Sequence, residues 1–401
     1  MKVEVLNVEE SKYLYSTRIL KIGLHGKTIE TPLRVLTHAD LNAKSEIPSE
    51  VMLPSEISAV FRRLTTNETK KILDKNKYIE RIIKSLEDYR QRMQHSLIVF
   101  SILQPAGTAI GDILINEKLK DRFMKLVLKI QLNAGLDYIT VPWLNFSPEK
   151  TIAVFKKIER ALEKIPGREP IFCVDVSLDP PKLERVIEFI RDLSTTGIIH
   201  FLGLLYRPAR EALASYELLW DMLKETNIAV ILAGVERYDE DLMNISGVHM
   251  HEFILGDILV PEVKRPFGLK KAREKRIEER VRFFVRRSLQ VFPIARLSKT
   301  NWIDEVTELI KDRRVKQILE NYPEAEKDDE KRKVLTSVSK VHEYLASYQE
   351  FDYSREFIYK GEPDEYIKEK DTLYDVLRLS LIHISEPTRP RLISYAVFCL
   401  K

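Results

Sequence analysis

Carboxylates stand at or near the ends of short apolar runs in the middle of the chain, where they could act on a bound molecule. Asp175 follows the run IFCV, Glu236 follows ILAGV, and Glu252 lies within HEFILGDILV. A carboxylate held in an apolar setting can serve as a nucleophile or as a general acid or base. The pattern therefore predicts nucleophilic or acid-base chemistry, with a ring of solvated charges as the alternative.

We predict two sets of site residues. Asp175 has the best case for a role, because an unpaired carboxylate inside an apolar run is costly to bury. His249 and His251 would share one face of a strand while Glu252 would face the other, so structural histidines are favoured over a metal site. The predicted catalytic residues are Glu252, Asp175 and Asp257. The residues predicted to contact substrate, with the aromatic ones stacking on a ring, are Gln104, Trp143, Tyr206, Arg207, Glu236 and His249.

The elements that must position these side chains are eight apolar runs of strand length. They are TPLRVLT, a weaker EVMLP, SLIVFSIL, DYITVPWL, PIFCVDVSL, IIHFLGLLY, IAVILAGV and HEFILGDILV. Helical patterns with apolar residues at i, i+3, i+4 and i+7 separate most of them. Alternating strands and helices predict a parallel sheet, and eight units predict an α/β fold closed into a (β/α)8 TIM-type barrel. An open doubly wound sheet is the alternative, although no Gly-rich phosphate loop follows the first strand.

Two further segments flank the predicted barrel. Residues 1–31 contain two extended runs around His25 and Gly26, which predict an N-terminal β-hairpin. The barrel is expected over residues 32–265, followed by a helical extension over 266–378 whose start is strongly basic. Because the net charge of the chain is only +4, phosphate contacts are expected from this local cluster. Its predicted nucleic-acid-binding residues are Lys270, Lys271, Arg273, Lys275, Arg276, Arg280, Arg286 and Arg287.

Composition excludes several classes of protein. Hydrophobic residues make up 44% and charged residues 31% of the 401 residues, as in ordinary globular chains. The sequence shows neither a signal peptide nor an apolar run long enough to cross a bilayer, so we expect a cytoplasmic protein without a membrane partner. Two cysteines cannot form a Cys-rich zinc site, and we expect no metal or cofactor. A homodimer and a heterodimer are both compatible with the sequence.

The end of the chain resembles a translated sequencing adaptor. The segments LSLIHISEPTR and ISYAVFCLK, within residues 379–401, carry this resemblance. A genuine C-terminal strand is the alternative. We expect the natural protein to be interrupted near Arg378, and we exclude the later residues from reasoning about the fold.

Two segments resemble the tRNA-guanine transglycosylase superfamily, which includes relatives that place 7-deazaguanine bases in DNA. Residues 23–37, GLHGKTIETPLRVLT, are similar to the hairpin that enters its first barrel strand. Residues 232–261, LAGVERYDEDLMNISGVHMHEFILGDILVP, are similar to the stretch over its last two strands. The resemblance implies a barrel, places Glu252 where the family has its nucleophile and places His249 where the family has the aspartate of its GVD segment. The family's zinc ligands are absent.

Three functions are compatible with these observations. The first is a divergent transglycosylase-like enzyme that exchanges or modifies a guanine in tRNA or DNA, with Glu252 as the nucleophile. The second is a catalytically inactive relative that binds nucleic acid or partners an active subunit. The third is a TIM-barrel enzyme acting on a phosphorylated small molecule, since this fold hosts many unrelated reactions.

Overall fold

A computed structural model describes most of the chain. The described residues are 1–10, 16–47, 51–197, 199–240, 243–262, 276–297, 302–326, 328–370 and 372–376. The expected boundary near residue 265 and the adaptor-like residues 379–401 lie outside this part of the chain.

The centre of the molecule is a closed ring of parallel strands. Its first strand is divided into β4 (Leu33–Arg34) and β5 (Leu36–Thr37), which pair with the last and the second strand respectively. Counting these two segments as one strand, the ring has eight strands, and the predicted TIM-type barrel is confirmed. The other strands, in chain order, are β6 (Ile57–Leu64), β7 (Ile98–Pro105), β8 (Tyr138–Val141), β9 (Glu169–Asp175), β10 (Phe201–Leu205), β11 (Ala229–Val235) and β14 (Ile258–Pro261).

Helices follow most strands and cover the outside of the ring. They are α1 (His38–Ser45), α2 (Thr66–Asp74), α3 (Asn76–Arg92), α4 (Gly107–Asp112), α5 (Glu117–Asn133), α6 (Pro148–Leu162), α7 (Pro180–Thr195), α8 (Ala209–Leu223) and α9 (Gly247–His251). Two of them begin directly after a barrel strand through a capping box. Thr37 caps α1 with Asp40, and Thr65 caps α2 with Glu68. Each pair satisfies backbone N–H groups at the helix start, which brings the chain sharply back over the strand.

An antiparallel sheet precedes the barrel. It consists of β1 (Lys2–Glu10), β2 (Ser16–Leu24) and β3 (Lys27–Glu30), in the order β1-β2-β3. The predicted hairpin is β2 with β3, and its turn residues His25 and Gly26 both have positive φ, at 50° and 77°. These angles match the two-residue turns whose twist suits a hairpin. The hairpin is therefore confirmed, with β1 as an additional strand.

The extension after the barrel is more varied than the sequence indicated. The described part has α10 (Ile277–Arg280), a hairpin of β15 (Arg282–Val285) and β16 (Gln290–Pro293), α11 (Ile294–Leu297), α12 (Trp302–Leu309), α13 (Arg313–Glu320), α14 (Asp329–Tyr359) and α15 (Pro363–Glu369). The hairpin joins the short strands β12 (Tyr238–Asp239) and β13 (Ile245–Ser246) in one sheet. The expectation of a long basic helix is wrong for residues 281–293, because Phe283 and Phe284 bury their side chains from a strand.

Two of the predicted strands are misplaced. Residues 51–56 form no strand, and the second barrel strand is β6. Its sequence, ISAVFRRL, has two arginines near its end and therefore lacks the continuous apolar pattern of a buried strand. The last strand, expected over 251–260, is limited to β14. His249 lies in α9 and Glu252 directly follows it. These two residues therefore precede the last strand and do not end it.

Asp257, predicted to be catalytic, does not lie at the barrel mouth. It directly precedes β14, at the amino end of that strand. It forms a buried ion pair with Arg18 of β2, with Nε to Oδ1 at 3.0 Å and Nη2 to Oδ2 at 2.6 Å. Asp257 Oδ2 also accepts from Val230 N at 2.7 Å, and Arg18 donates to the carbonyl of Ile228. This carboxylate joins the N-terminal sheet to the bottom of the barrel and lies away from its mouth.

We predict that Asp257→Asn destabilises the protein by about 3 kcal/mol or more, because it leaves Arg18 buried without its counter-charge. The free energy of unfolding in urea measures this effect. The control is Asp221→Asn, which removes a well-exposed carboxylate of α8 and should change stability by less than about 0.5 kcal/mol. Equal stabilities for the two variants would contradict a structural role of the pair.

Candidate active site

A cleft opens over the carboxyl ends of the first three barrel strands and β14. Its volume is about 1200 Å³, which is large enough for a metabolite-sized ligand. Among the charged residues that line it, five are basic and two are acidic. We call it the basic cleft, and these residues are Arg62, Arg63, Arg81, Lys84, Arg92, Asp88 and Glu262.

The outer wall of the basic cleft is one face of helix α3. Arg81, Lys84, Asp88 and Arg92 are spaced at i, i+3, i+7 and i+11, which places them on the same side of a helix. The apolar residues of α3 between them, such as Leu86, are buried against the barrel. Among the described residues, Arg81 and Lys84 have no ion-pair partner. Two exposed cations on this wall are thus available to an anionic ligand.

The inner wall comes from the end of β6. A side chain at Gly234 of β11 would meet the ring of Phe61 and approach Arg63, so both residues point across the interior of the barrel. Arg63 Nε lies 3.5 Å from Glu262 Oε1. The Glu262 side chain is 18% exposed, and its backbone N–H donates to Val235 O at 2.7 Å. Glu262 is therefore a partly accessible carboxylate at the end of β14, beside a cation.

A second cleft of about 630 Å³ adjoins the first one, over the ends of β11, β14 and β5. Glu262 lines both clefts. We call the second one the acidic cleft, because its lining contains six acidic and three basic residues. The acidic ones are Asp40, Glu236, Asp239, Glu240, Glu262 and Glu343, and the basic ones are Arg34, Arg237 and Lys340.

Of the predicted site residues that the structure describes, Glu236 alone lines the acidic cleft. It follows β11, and the glycine at position 247 lets α9 pack against its backbone, since a Cβ there would collide with the Glu236 carbonyl. The neighbouring Arg237 pairs with Glu343 of α14 and donates to Arg282 O at 2.9 Å. The extension therefore forms part of the wall of this cleft.

Asp175 and Arg207 form an ion pair on another part of the mouth. Arg207 Nη2 lies 3.1 Å from Asp175 Oδ2, and this hydrogen bond raises the pKa of the guanidinium. Asp175 Oδ1 also accepts from the backbone N–H and the hydroxyl of Ser177, at 2.9 and 2.7 Å. The prediction that Asp175 ends a strand is correct, but neither residue lines the basic or the acidic cleft.

Gln104, Trp143 and Tyr206 are buried and hold other parts of the protein in place. Gln104 donates to Trp143 O at 2.7 Å and accepts from Trp143 N at 3.0 Å, so both ends of its amide are used by one backbone segment. The ring of Tyr206 packs edge-on against His251 at 4.8 Å. None of the three lines either cleft, and the prediction that they contact substrate has no geometric support.

Glu252 and His249 lie between the barrel and the extension. Glu252 is 2% exposed, and its Oε2 accepts from Ser354 of α14 at 3.1 Å. The His249 ring lies between Phe284 and Phe351, at 4.9 and 4.6 Å. Burial raises the pKa of Glu252 well above its usual value, with the charge of Glu350 adding to the effect, and burial lowers the pKa of His249. Both shifts favour the uncharged form of the group, and neither residue lies at the mouth.

The predicted phosphate-binding residues of the extension divide into two groups. Lys270, Lys271, Arg273 and Lys275 lie outside the described residues. Of the others, Arg286 is committed to Glu350, with Nε to Oε2 at 3.0 Å, and to Gln349. Arg276 and Arg287 are exposed, and Arg280 is partly buried. The cations that line the basic cleft are instead on β6 and α3.

Sequence reasoning missed the residues that line the basic cleft, although part of their signal is visible. Glu262 follows the run ILVP directly, so it stands at the end of the last strand. The charged residues of α3 have helical spacing on its polar face. Nothing in the sequence, however, shows that this face borders the barrel mouth.

The strand order and closure of the ring define the class of protein, a TIM-type barrel with a C-terminal extension. No family model and no curated protein matches the chain. Among solved structures it is similar to a GH18 chitinase from Pseudoalteromonas aurantia, at 13% identity and a TM-score of 0.34, over 58% of this chain and 94% of that one. It is also similar to tryptophan synthase from Pyrococcus furiosus, at 14% identity and a TM-score of 0.33, over 58% and 87%.

Two features are absent from the part of the chain that the structure describes. It contains no helix long and apolar enough to cross a membrane. It also contains no group of three or more His, Cys, Asp or Glu side chains arranged to hold a metal ion.

We predict that Glu252→Gln gains stability relative to the wild type between pH 5 and pH 8. A carboxyl with a raised pKa contributes most stability below its unfolded-state pKa, near 4.5, and loses that contribution as pH rises toward and through the folded-state pKa. Glutamine does not titrate, so the variant should gain stability relative to the wild type as pH rises between these two pKa values, by about 1.4 kcal/mol for each pH unit.

Urea unfolding at pH 5 and pH 8 measures this difference in stability. The control is Glu225→Gln, at an exposed position, which should behave as the wild type at both pH values. A stability difference between Glu252→Gln and the wild type that stays the same at pH 5 and pH 8 would contradict a raised pKa of Glu252.

We predict that Gln104→Leu costs about 2 kcal/mol of stability, because it leaves the backbone N–H and carbonyl of Trp143 buried without partners. Thermal and urea unfolding would measure the loss, and Gln94→Leu, at an exposed position, is the control. If Gln104 instead served substrate, its substitution would leave stability unchanged.

Proposed function

We propose that this protein is a TIM-barrel enzyme that acts on a small phosphorylated molecule at the mouth of the barrel. The observation that carries the proposal is the basic cleft at the carboxyl ends of the strands, where active sites of this fold form. The cleft offers cations for a phosphate and an accessible carboxylate in one place.

Charge supports an anionic substrate. Arg81 and Lys84 face the cleft without ion-pair partners among the described residues, whereas Arg62 is already paired with Glu68 at 2.6 Å. The two unpaired cations can hold a phosphate without first giving up another interaction. Arginine adds paired donors that match phosphate oxygens.

Acid-base chemistry is supported by Glu262. Its carboxylate is partly exposed and lies beside Arg63 at the junction of the two clefts. Glu236 follows the adjacent strand and lines the acidic cleft. A carboxylate that can reach both water and ligand is suited to move a proton during the reaction.

Base exchange on a nucleic acid fits the structure less well. The residue expected to attack, Glu252, is buried under Ser354 of α14 and is absent from the lining of both clefts. A bound nucleotide could not reach it without displacement of the extension. An inactive nucleic-acid-binding relative would share the basic cleft but would show no turnover.

The experiment that tests the proposal is a screen for turnover with a panel of phosphorylated metabolites. For a substrate found in this way, Glu262→Gln should lower kcat by about 10²-fold, the usual scale for loss of a general acid or base. Arg81→Gln and Lys84→Gln should raise KM by about tenfold and leave kcat nearly unchanged, since they remove only phosphate contacts.

The matched controls are Glu188→Gln and Lys157→Gln, at exposed positions of α7 and α6, which should leave both constants unchanged. Turnover that Glu262→Gln leaves intact would contradict the assigned carboxylate. Turnover abolished by Glu252→Gln would instead restore base exchange as the better hypothesis.

A further inference from the structure

The two clefts differ in the groups that they offer to a ligand. The basic cleft has unpaired cations on its outer wall, whereas the acidic cleft combines carboxylates with guanidinium groups. Glu262 lines both, so one molecule can extend from one cleft into the other. The inference about the class of the substrate rests on the proposed function.

Arg34 is a buried cation among the residues that line the acidic cleft. It is 8% exposed, lines the cleft, and donates from Nη2 to Asp40 Oδ1 at 2.9 Å. Its Nε and Nη1 meet no acceptor among the described residues and are closed to solvent, and the guanidinium lies 5.0 Å from the centroid of the Tyr344 ring. Burial alone would lower the pKa of Arg34, but the charges of Asp40 and Glu343 outweigh it and raise the pKa. The ion pair with Asp40 and the ring of Tyr344 hold this charged guanidinium beside the cleft.

A phosphate or carboxylate is a poor acceptor for this position. The acidic residues of the cleft outnumber the basic ones, and an added anion would be repelled by Glu236 and Glu240. Two of the guanidinium groups are already paired, Arg34 with Asp40 and Arg237 with Glu343. An uncharged group fits this lining better than an anion does.

A hydroxyl group satisfies both sides of the acidic cleft, because its oxygen accepts from a guanidinium while its proton is donated to a carboxylate. Several hydroxyls on adjacent carbons would use several of these groups at once.

We infer that the substrate is a phosphorylated sugar. Its phosphate contacts Arg81 and Lys84 in the basic cleft, and its hydroxyls bind in the acidic cleft between Arg34 and carboxylates that include Glu240. The bond that reacts lies near Glu262, where the two clefts meet. This arrangement assigns recognition of the phosphate to one wall and recognition of the sugar to the other.

Isothermal titration of the full chain with ribose 5-phosphate, glucose 6-phosphate, ribose and inorganic phosphate tests the inference. We expect at least one sugar phosphate to bind tenfold or more tightly than inorganic phosphate. Glu240→Gln and Arg34→Lys should remove most of that gain while leaving the affinity for inorganic phosphate unchanged. Glu240 is exposed, so its substitution tests the cleft even if the Arg34 variant folds poorly. Lys157→Gln is the control.

Two results would overturn the inference. Sugar phosphates that bind no more tightly than inorganic phosphate would show that hydroxyls add nothing. A gain that Glu240→Gln and Arg34→Lys both leave intact would show that the sugar binds elsewhere. A different result would contradict the proposed function. In that case Arg81→Gln would bind inorganic phosphate, and also the sugar phosphates, as tightly as the wild type does.

Discussion

Closure of the barrel through residues 33–37 is the constraint on which the rest of the structure depends. On one side Leu33 N and Val35 N donate to the carbonyls of Asp257 and Leu259, and on the other side β5 pairs with β6. Without this seam the ends of the first and last strands would be sheet edges on opposite sides of the molecule. With it, Glu262 lies beside Arg63, and both clefts exist.

The extension completes this seam from the outside. Helix α14 contacts β4 and α1, and it presents a buried polar stripe that includes Glu343, Glu350 and Ser354. Glu350 is held by Lys370, Arg286 and Tyr366. A polar stripe of this kind is stable only when each charge is matched. The extension is therefore a structural part of the barrel wall, and the raised pKa of Glu252 is a consequence of its docking.

The fold could be predicted from the sequence more fully than the site could. Apolar runs alternating with amphipathic helices define a (β/α)8 barrel, because burial on both faces leaves few other arrangements. The predicted strand positions are wrong in two places. One is where a strand carries charge near its end, as with Arg62 and Arg63, and the other is where a helical turn interrupts an apolar run, as at His249. Period-two and period-3.6 patterns cannot be separated over so few residues.

The site was harder to predict because strand ends had to be located to within a residue or two. Asp257 and Glu262 are five positions apart in the sequence, at opposite ends of β14. At roughly 3.3 Å per residue they are separated by about 16 Å along the strand. Asp257 is among the predicted catalytic residues, whereas Glu262 is not.

These two carboxylates show how one strand can serve two purposes. At its amino end, Asp257 is sealed against Arg18 and fixes the N-terminal sheet to the barrel. At its carboxyl end, Glu262 is partly open to solvent and borders both clefts. In TIM-type barrels the amino end of the ring maintains stability while the carboxyl end carries chemistry. The depth of burial, which only the closed barrel determines, therefore separates a structural carboxylate from a candidate catalytic one.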